Sequence, residues 1–476
     1  LSAQAAANAI IMSPWNRFMP AILLERRGGY PGVLLRYTHG HMDSKIAYIE
    51  RLGDARIPSP LPSRDIDPEH PNPFVADSHY IPLHITRYEG QDRPGNILFE
   101  KAGPRERIFF EPERTAAAIV TCGGLCPGLN NVIRSLVFSL RSQYGVTRIF
   151  GMRYGYHGLN PANGFPPMEL TAELVSDIHE QGGTILGTSR GPEDPEVMVR
   201  FLRDLGVNIL FPIGGDGTQR GARKIHEAAC ELKYPLAVVG IPKTIDNDIL
   251  YVSRTFGYGT AVNAARHVID VAHTEARAVL NGIGLVKLMG RDSGFIAAGA
   301  TLASGEVNYC LIPEQPFELD GERGLLAVLE QRLARKHHAV IAVAEGAGQH
   351  LIPRESVEKD ASGNVKHADI GVFLRDRITA HFRAKSIPVN VRYIDPSYMI
   401  RGLPADTEDS ILCDGLARNA VHAAMTGRSG LIIGLVHNRM VHVPTYMITA
   451  GRKTVSLDGE LWKSVLAVTG QPAGWK

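Results

Sequence analysis

Cysteine is scarce, five in 476 residues. They fall at positions 122, 126, 230, 310 and 413, an odd number with no framework spacing, which argues against a disulfide-stapled secreted protein and for a reducing compartment. Cys122 and Cys126 lack a second His/Cys pair at zinc-like spacing and read as packed loop thiols. No apolar run reaches the roughly 18–20 residues of a membrane-spanning helix. Charge of one sign is also lacking: 51 Lys+Arg stand against 49 Asp+Glu, so no global field draws in nucleic acid or an anionic membrane, and neither is an expected partner. The opening "LSAQAAANAI" has neither the basic start nor the long apolar middle of a secretory signal, and "PAGWK" is no peroxisomal or ER address. A cytoplasmic location is expected. No period of 20–50 residues repeats, which argues against a solenoid.

What is present is a long chain with a 44% apolar fraction, enough for two domains plus accessory segments. Proline is dense between residues 54 and 114, which prevents regular helix and predicts an extended arm that wraps a neighbour. From Thr115 short β-branched runs alternate with segments of helical period, the pattern of a parallel sheet with crossover helices. Strands are expected at 116–121, 146–152, 207–213, 236–241, 282–287, 309–312, 338–343, 389–394 and 431–436. Helices are expected at 130–143, 218–232, 260–278, 321–336, 370–385 and 406–425. Ligands bind such sheets beyond the carboxyl ends of the strands.

The loops there are rich in glycine. "TCGGLCPGLN" (121–130) joins a strand to a helix N-terminus, a place suited to an anion, though Gly-rich turns end many buried strands. "GGTILGTSRG" (182–191) adds a guanidinium at Arg190, either beside a phosphoryl group or simply on a surface turn. "IGGDGTQRG" (213–221) lacks the Gly-Lys-Ser/Thr ending of a Walker loop and the full dinucleotide fingerprint. Its three close glycines leave space for a polyphosphate, which Asp216 would repel unless a divalent cation lay between; the other reading of Asp216 is a helix cap. "IPKTIDNDI" (241–249) places Lys243, Asp246 and Asp248 in one loop, candidates for a cation and a base in phosphoryl transfer to an alcohol, or for an Asn/Asp-rich turn with a solvated lysine.

With "KLMGRDSGFIA" (287–297), "VAEGAG" (343–348) and "YIDPSYMIRG" (393–402) these segments occur in the order found in 6-phosphofructokinases. The chain resembles the long plant and trypanosomatid subgroup, related to pyrophosphate-dependent enzymes, from about Ala116 to Val443. The resemblance implies two Rossmann-like three-layer α/β domains with mainly parallel sheets and an irregular N-terminal extension. These comprise an extension over 1–114, an ATP-binding domain over 115–257 plus about 400–445, a sugar-phosphate-binding domain over 258–399 and a C-terminal segment over 446–476. It further implies ATP bound at Gly124, Arg190, Gly191, Gly215, Asp216, Gly217 and Thr218, with Mg²⁺ on Asp216. Asp246 is then the base for the 1-hydroxyl of fructose 6-phosphate, with Thr244 and Ile245 beside the sugar, and Lys243 and Arg190 steady the transferred group. Met289, Gly290, Arg291, Glu345, Arg392, Tyr398, Met399, Ile400 and Arg401 match the sugar-phosphate side. Arg392 also reads as an interface salt bridge. A homotetramer under allosteric control is implied as well.

Alternatives are a pyrophosphate-dependent phosphotransferase, a lipid or NAD kinase sharing the Gly-Gly-Asp-Gly loop, and a non-catalytic regulatory subunit on the same fold. Gly217 bears on the donor, because an aspartate there would put charge and bulk where a nucleotide α-phosphate must lie. Lys243 resembles the pyrophosphate type, but the long ATP-using subgroup combines this glycine and lysine. Gly282 falls where simpler bacterial relatives carry a phosphate-binding arginine. The sequence therefore predicts that Gly217→Asp impairs turnover with ATP; parallel rate measurements on the variant and the parent check it, and an unchanged ATP rate would reject the steric argument.

Overall fold

The structure, a computed structural model, describes residues 34–39, 42–61, 74–86, 96–353 and 367–475. Two parallel-stranded sheets dominate it. The first takes β1 (Ala116–Thr121), β2 (Arg148–Met152), β3 (Ile209–Gly214), β4 (Ala237–Pro242), β9 (Leu431–Val436) and β10 (Arg439–Pro444), in the order β2-β1-β3-β4-β9-β10, with the short strand Met168–Glu169 beyond β2. The second takes β5 (Gly282–Leu288), β6 (Tyr309–Leu311), β7 (His338–Ala344) and β8 (Asn390–Ile394) in the order β6-β7-β5-β8, all parallel.

Every residue of β1, β3 and β4 is buried, as in a sheet covered on both faces. The strand period of two divides them cleanly. Ala117, Ile119, Phe211 and Val239 join one core with α1 (Leu129–Phe138) and α8 (Thr407–Met425). Ala118, Val120, Leu210 and Val238 join another with α2 (Pro195–Asp204) and α3 (Asp216–Glu231). In the second sheet Ile283, Leu285 and Ile341 pack on α6 (Leu325–Lys336) and α7 (Ile370–Ala384). Val286, Leu288 and Val340 turn toward α4 (Tyr258–Arg277) and α5 (Phe295–Ser304), and belong to the same core as the inner face of the first sheet. One apolar layer thus fixes the two sheets against each other.

All strands and helices expected from Ala116 onward are present, with ends shifted by a few residues. The helix expected over 130–143 is α1 followed by a π-helical turn, Ser139–Tyr144. Several elements were missed. Helix α2 carries a start signal, Asp194 capping Glu196 N at 2.8 Å with Pro195 in the first turn,. Helix α5 is built largely of small residues without a polar face. β10 returns antiparallel to β9 through His437 and Asn438, both with positive φ, 49° and 58°; such a two-residue turn suits the sheet twist. Helix α9 (Glu460–Thr469) packs on α5.

The proline-rich segment is extended, but its described part does not reach away as an arm. The strand Ile97–Glu100 pairs with Met42–Ala47 and Tyr80–Pro82, and Lys101 bridges to Val441 at the edge of the first sheet. Phe99 and Ile108 are fully buried. The physical reason is a buried ion network. Arg428 donates to Glu100 Oε1 and Asp77 Oδ1 at 2.7 Å each, and Arg105 donates to the same two atoms at 2.9 and 2.8 Å. Burial alone would raise the Glu100 carboxyl, yet the His442 imidazole first, and then the Arg428 and Arg105 guanidiniums, hold it well below the usual carboxylate range. A carboxyl depressed in the fold stabilises it above the ordinary range, and this contribution is lost as pH falls toward the folded value. Arg428→Ala removes one of the two buried arginines on Glu100 and leaves Arg105 to carry it alone; we expect a loss of about 3 kcal/mol, read in urea unfolding, and an unchanged midpoint would show that the network does not hold the segment.

Candidate active site

A cleft of about 860 Å³ opens at the carboxyl ends of β1, β3, β4, β5 and β7. Three of its loops bring cations to one point. A Cβ placed on Gly124 would lie 3.5 Å from Arg401 Nη1 and 3.6 Å from Arg190 Nη2. Lys243 Nζ donates to Gly124 O at 2.6 Å. Burial, with Arg190 and Arg401 nearby, lowers the Lys243 ammonium from its ordinary value despite the thiols of Cys126 and Cys122. Gathering like charges around a bare glycine backbone is costly without an anion, so the arrangement suits a phosphate.

Across the cleft, Asp216 is the first residue of α3, behind Gly215 at its N-cap. Its carboxylate meets the guanidinium of Arg220 one turn on, and Arg452 Nε at 3.8 Å. Arg452 also contacts Asp292, so it joins the loop after β3 to the loop after β5. Neither Arg452 nor Asp292 was singled out by sequence. Arg452 sits in "TAGRKT" outside every motif, and only folding brings it to the cleft. Gly217 is open: an added Cβ would meet nothing nearer than Arg220 Nη2 at 3.9 Å. The fold does not demand glycine there, which leaves the cleft side as its reason.

The loop after β4 aims Asp246. Asn247 adopts φ 53°, a conformation that Asn tolerates better than most residues, and its Oδ1 accepts from Thr255 N at 3.0 Å. Ser293 Oγ donates to Asp246 O at 2.9 Å and ties this loop to the second sheet's side. The Asp246 side chain is enclosed by the cleft wall, and its Oδ1 is buried without a hydrogen-bond partner. Burial, followed by the charges of Asp248 and Glu345, pushes its carboxyl up to about 7. Glu345 is raised too, chiefly by burial, with Arg291 and Lys287 opposing. Gly290, φ +131°, makes the turn between Met289 and Arg291; a Cβ there would come 2.5 Å from Ser293 O.

The structure therefore brings Gly124, Arg190, Gly191, Gly215–Thr218, Lys243–Asp246, Met289, Arg291, Glu345 and Arg401 around one cavity. Arg401 stands by Gly124, Arg190 and Lys243. Arg392 does not line the cavity: it is half exposed on β8 and its nearest acid is Glu275 of α4, 3.9 Å away. Tyr398 and Met399 point outward, 76% and 69% exposed, while Ile400 is buried; all three border a separate apolar groove with Ala264 and Val268. Gly282 has a packing cause, since a Cβ on it would lie 2.1 Å from Ala276 O at the end of α4. No arginine side chain fits there. Cys122 and Cys126 are buried free thiols in the Gly-rich loop that follows β1.

Residues 116–424 match the Phosphofructokinase family. The chain is 46% identical over 453 residues to the ATP-dependent 6-phosphofructokinase of Borreliella burgdorferi, covering 93% of this chain and 100% of that one. It is 46% identical over 421 residues to ATP-dependent 6-phosphofructokinase 7 of Arabidopsis thaliana, covering 85% and 86%. The fold is similar to that of a pyrophosphate-dependent phosphofructokinase of Marinobacter aquaeolei, with TM-score 0.62 and 18% identity over 76% of this chain and 92% of that one.

Arg401→Ala should weaken ATP binding about tenfold or more, the worth of one charge-assisted hydrogen bond, in isothermal titration. Unchanged affinity would place the phosphates away from the Gly124 cluster.

Proposed function

The chain belongs to the phosphofructokinase family, and from that premise we infer its reaction. It is an ATP-dependent 6-phosphofructokinase, which transfers the γ-phosphoryl group of ATP to the 1-hydroxyl of fructose 6-phosphate and yields fructose 1,6-bisphosphate and ADP, a step of glycolysis. One observation carries the mechanism: the buried, unpartnered Oδ1 of Asp246 in a cleft where Arg190, Lys243 and Arg401 gather at Gly124.

An acceptor with no protein donor is completed by a substrate hydroxyl. With its carboxyl at about 7, Asp246 is ionised for part of the population at neutral pH and basic enough to take the hydroxyl proton as the oxygen attacks phosphorus. Lys243, Arg190 and Arg401 then face the charge that spreads over the transferred group, from positions set before the substrate arrives. Glu345 and Arg291 lie on the second sheet's side of the same cavity, where the sugar would sit. Gly217 leaves room for the nucleotide α-phosphate, which supports ATP over pyrophosphate.

Magnesium is the cofactor we propose. Asp216 with Asp248 and Asp292 around the same cavity supplies hard oxygen donors, and these together with phosphate oxygens suit Mg²⁺. When bound, the ion would offset charge between the β- and γ-phosphates. Asp216 already takes a cation in this structure, from Arg220 and Arg452. A homotetramer, allosteric control and a cytoplasmic location complete the proposal. The outward Tyr398 and Met399 support self-association, and five unpaired cysteines suit a reducing compartment,.

Activity should rise with pH through about 7 as Asp246 loses its proton, read as kcat/KM for fructose 6-phosphate. Asp246→Asn should lower turnover by about a thousandfold or more and at the same time stabilise the fold. Because the folded state raises this carboxyl, ionisation of the unfolded chain between about pH 4 and 7 costs the native enzyme stability, on the order of 2–4 kcal/mol above pH 7. The variant escapes that cost. Near-normal turnover, or an unchanged unfolding midpoint, would remove Asp246 from the role. In parallel assays ATP should support turnover and pyrophosphate should not; the reverse result would make the enzyme a pyrophosphate-dependent phosphotransferase.

A further inference from the structure

At the far end of α3 from the cleft, three donors of different chemistry converge. His226 Nε2 lies 2.9 Å from Glu50 Oε2 and 3.9 Å from Cys230 Sγ, and the three donor atoms all lie within 4.8 Å of one another. We propose that Glu50, His226 and Cys230 form a binding site for a borderline-soft divalent cation of the zinc class. Nothing in the phosphoryl-transfer reaction uses these residues.

The local structure favours a ligand role in three ways. His226 and Cys230 are four residues apart on α3, so their side chains share one face and rise over the same spot. The imidazole tautomer is set by its other nitrogen. Ser429 Oγ accepts from Val238 N at 3.0 Å and donates to Leu236 O at 3.2 Å, which leaves it an acceptor for His226 Nδ1–H at 2.9 Å. Nε2 donates its proton to Glu50 Oε2 here and is the nitrogen a metal would take when that proton leaves, and the Ser429 hydroxyl acts as the orienting partner that ligating histidines commonly have. Glu50 is held by backbone, since the strand Glu50–Arg51 pairs with Arg428–Ser429 and sets Glu50 opposite Ser429. One short ladder positions both a ligand and the group that orients another.

The donor set is thiolate, imidazole and carboxylate. That mixture suits Zn²⁺ better than Mg²⁺ or Ca²⁺, and three protein ligands leave a fourth tetrahedral position for water. Binding releases the thiol proton of Cys230 and the proton that His226 Nε2 shares with Glu50, and forms Zn–S, Zn–N and Zn–O bonds with no change of oxidation state. Cys230 is exposed whereas Cys122, Cys126, Cys310 and Cys413 are buried, so an ion from solvent reaches this thiol. An ion so held would fasten the N-terminal segment to the helix whose first residue is Asp216.

The test uses the full chain and Co²⁺ as probe, in excess Mg²⁺ to occupy the cleft carboxylates. One Co²⁺ per chain should bind with a thiolate-to-cobalt charge-transfer band and the strong visible absorption of tetrahedral cobalt, and Zn²⁺ should displace it. Cys230→Ser should abolish the charge-transfer band, and His226→Gln should weaken binding at least tenfold. As a measurement on the unaltered protein, alkylation of its one exposed thiol should be slowed at least tenfold by Zn²⁺. Absence of saturable binding, a band that persists in Cys230→Ser, or alkylation indifferent to Zn²⁺ would overturn the site and leave Glu50 and His226 as an ion pair only.

Discussion

A carboxylate oxygen kept inside a protein without a hydrogen-bond donor is a standing cost, and the architecture around Asp246 Oδ1 works to maintain it. Burial and the neighbouring acids Asp248 and Glu345 raise its basicity. The nearby cations are engaged elsewhere: Lys243 is tied to the Gly124 carbonyl, and Arg452 to Asp216 and Asp292. Were any of them free to collapse onto Asp246, the group would become an ordinary buried ion pair with no proton affinity near neutrality. Separation of unlike charges within one cleft is therefore the constraint that the loops satisfy, and rigid strand ends are what enforce it.

Rigidity of that kind comes from the shared layer between the sheets. Residues of α1, α8, α4 and α5 pack with the inward faces of both sheets into one apolar core. Ser293 on one side bonds the Asp246 loop on the other, and Arg452 spans the same gap. The loops on the two sides of the cleft are thus positioned by a common interior. An error in one sheet's packing would be felt as misalignment at the reacting atoms, where about an ångström matters greatly.

Much of this was legible in sequence because two periodicities did the writing. Strands buried on both faces read as continuous apolar runs, and the helices between them carry a 3.6-residue stripe. The glycine loops fell at strand ends where the sheet rule puts ligands, which is why Asp216, Lys243, Asp246 and Arg190 could be named before any geometry was known. Other features escaped for reasons equally physical. Helix α5 is buried and small-residue-rich, so it has no amphipathic signal. Arg452 reaches the cleft from far along the chain, and no local pattern encodes a contact with Asp292. Proline density correctly spoke against helix in 54–114 but said nothing of where the segment packs; Arg428 and Glu100, 328 residues apart, decide that. Arg392 was expected on the sugar-phosphate side by resemblance alone, yet its strand turns it away from the cavity within a single chain.

Arg452 also imposes an order on how the enzyme comes into being. During synthesis both sheets, and with them Asp216 and Asp292, are complete before this residue leaves the ribosome. Until then Asp292 waits for this partner, and the clasp between the loop after β3 and the loop after β5 is closed by the segment made after the scaffold is finished.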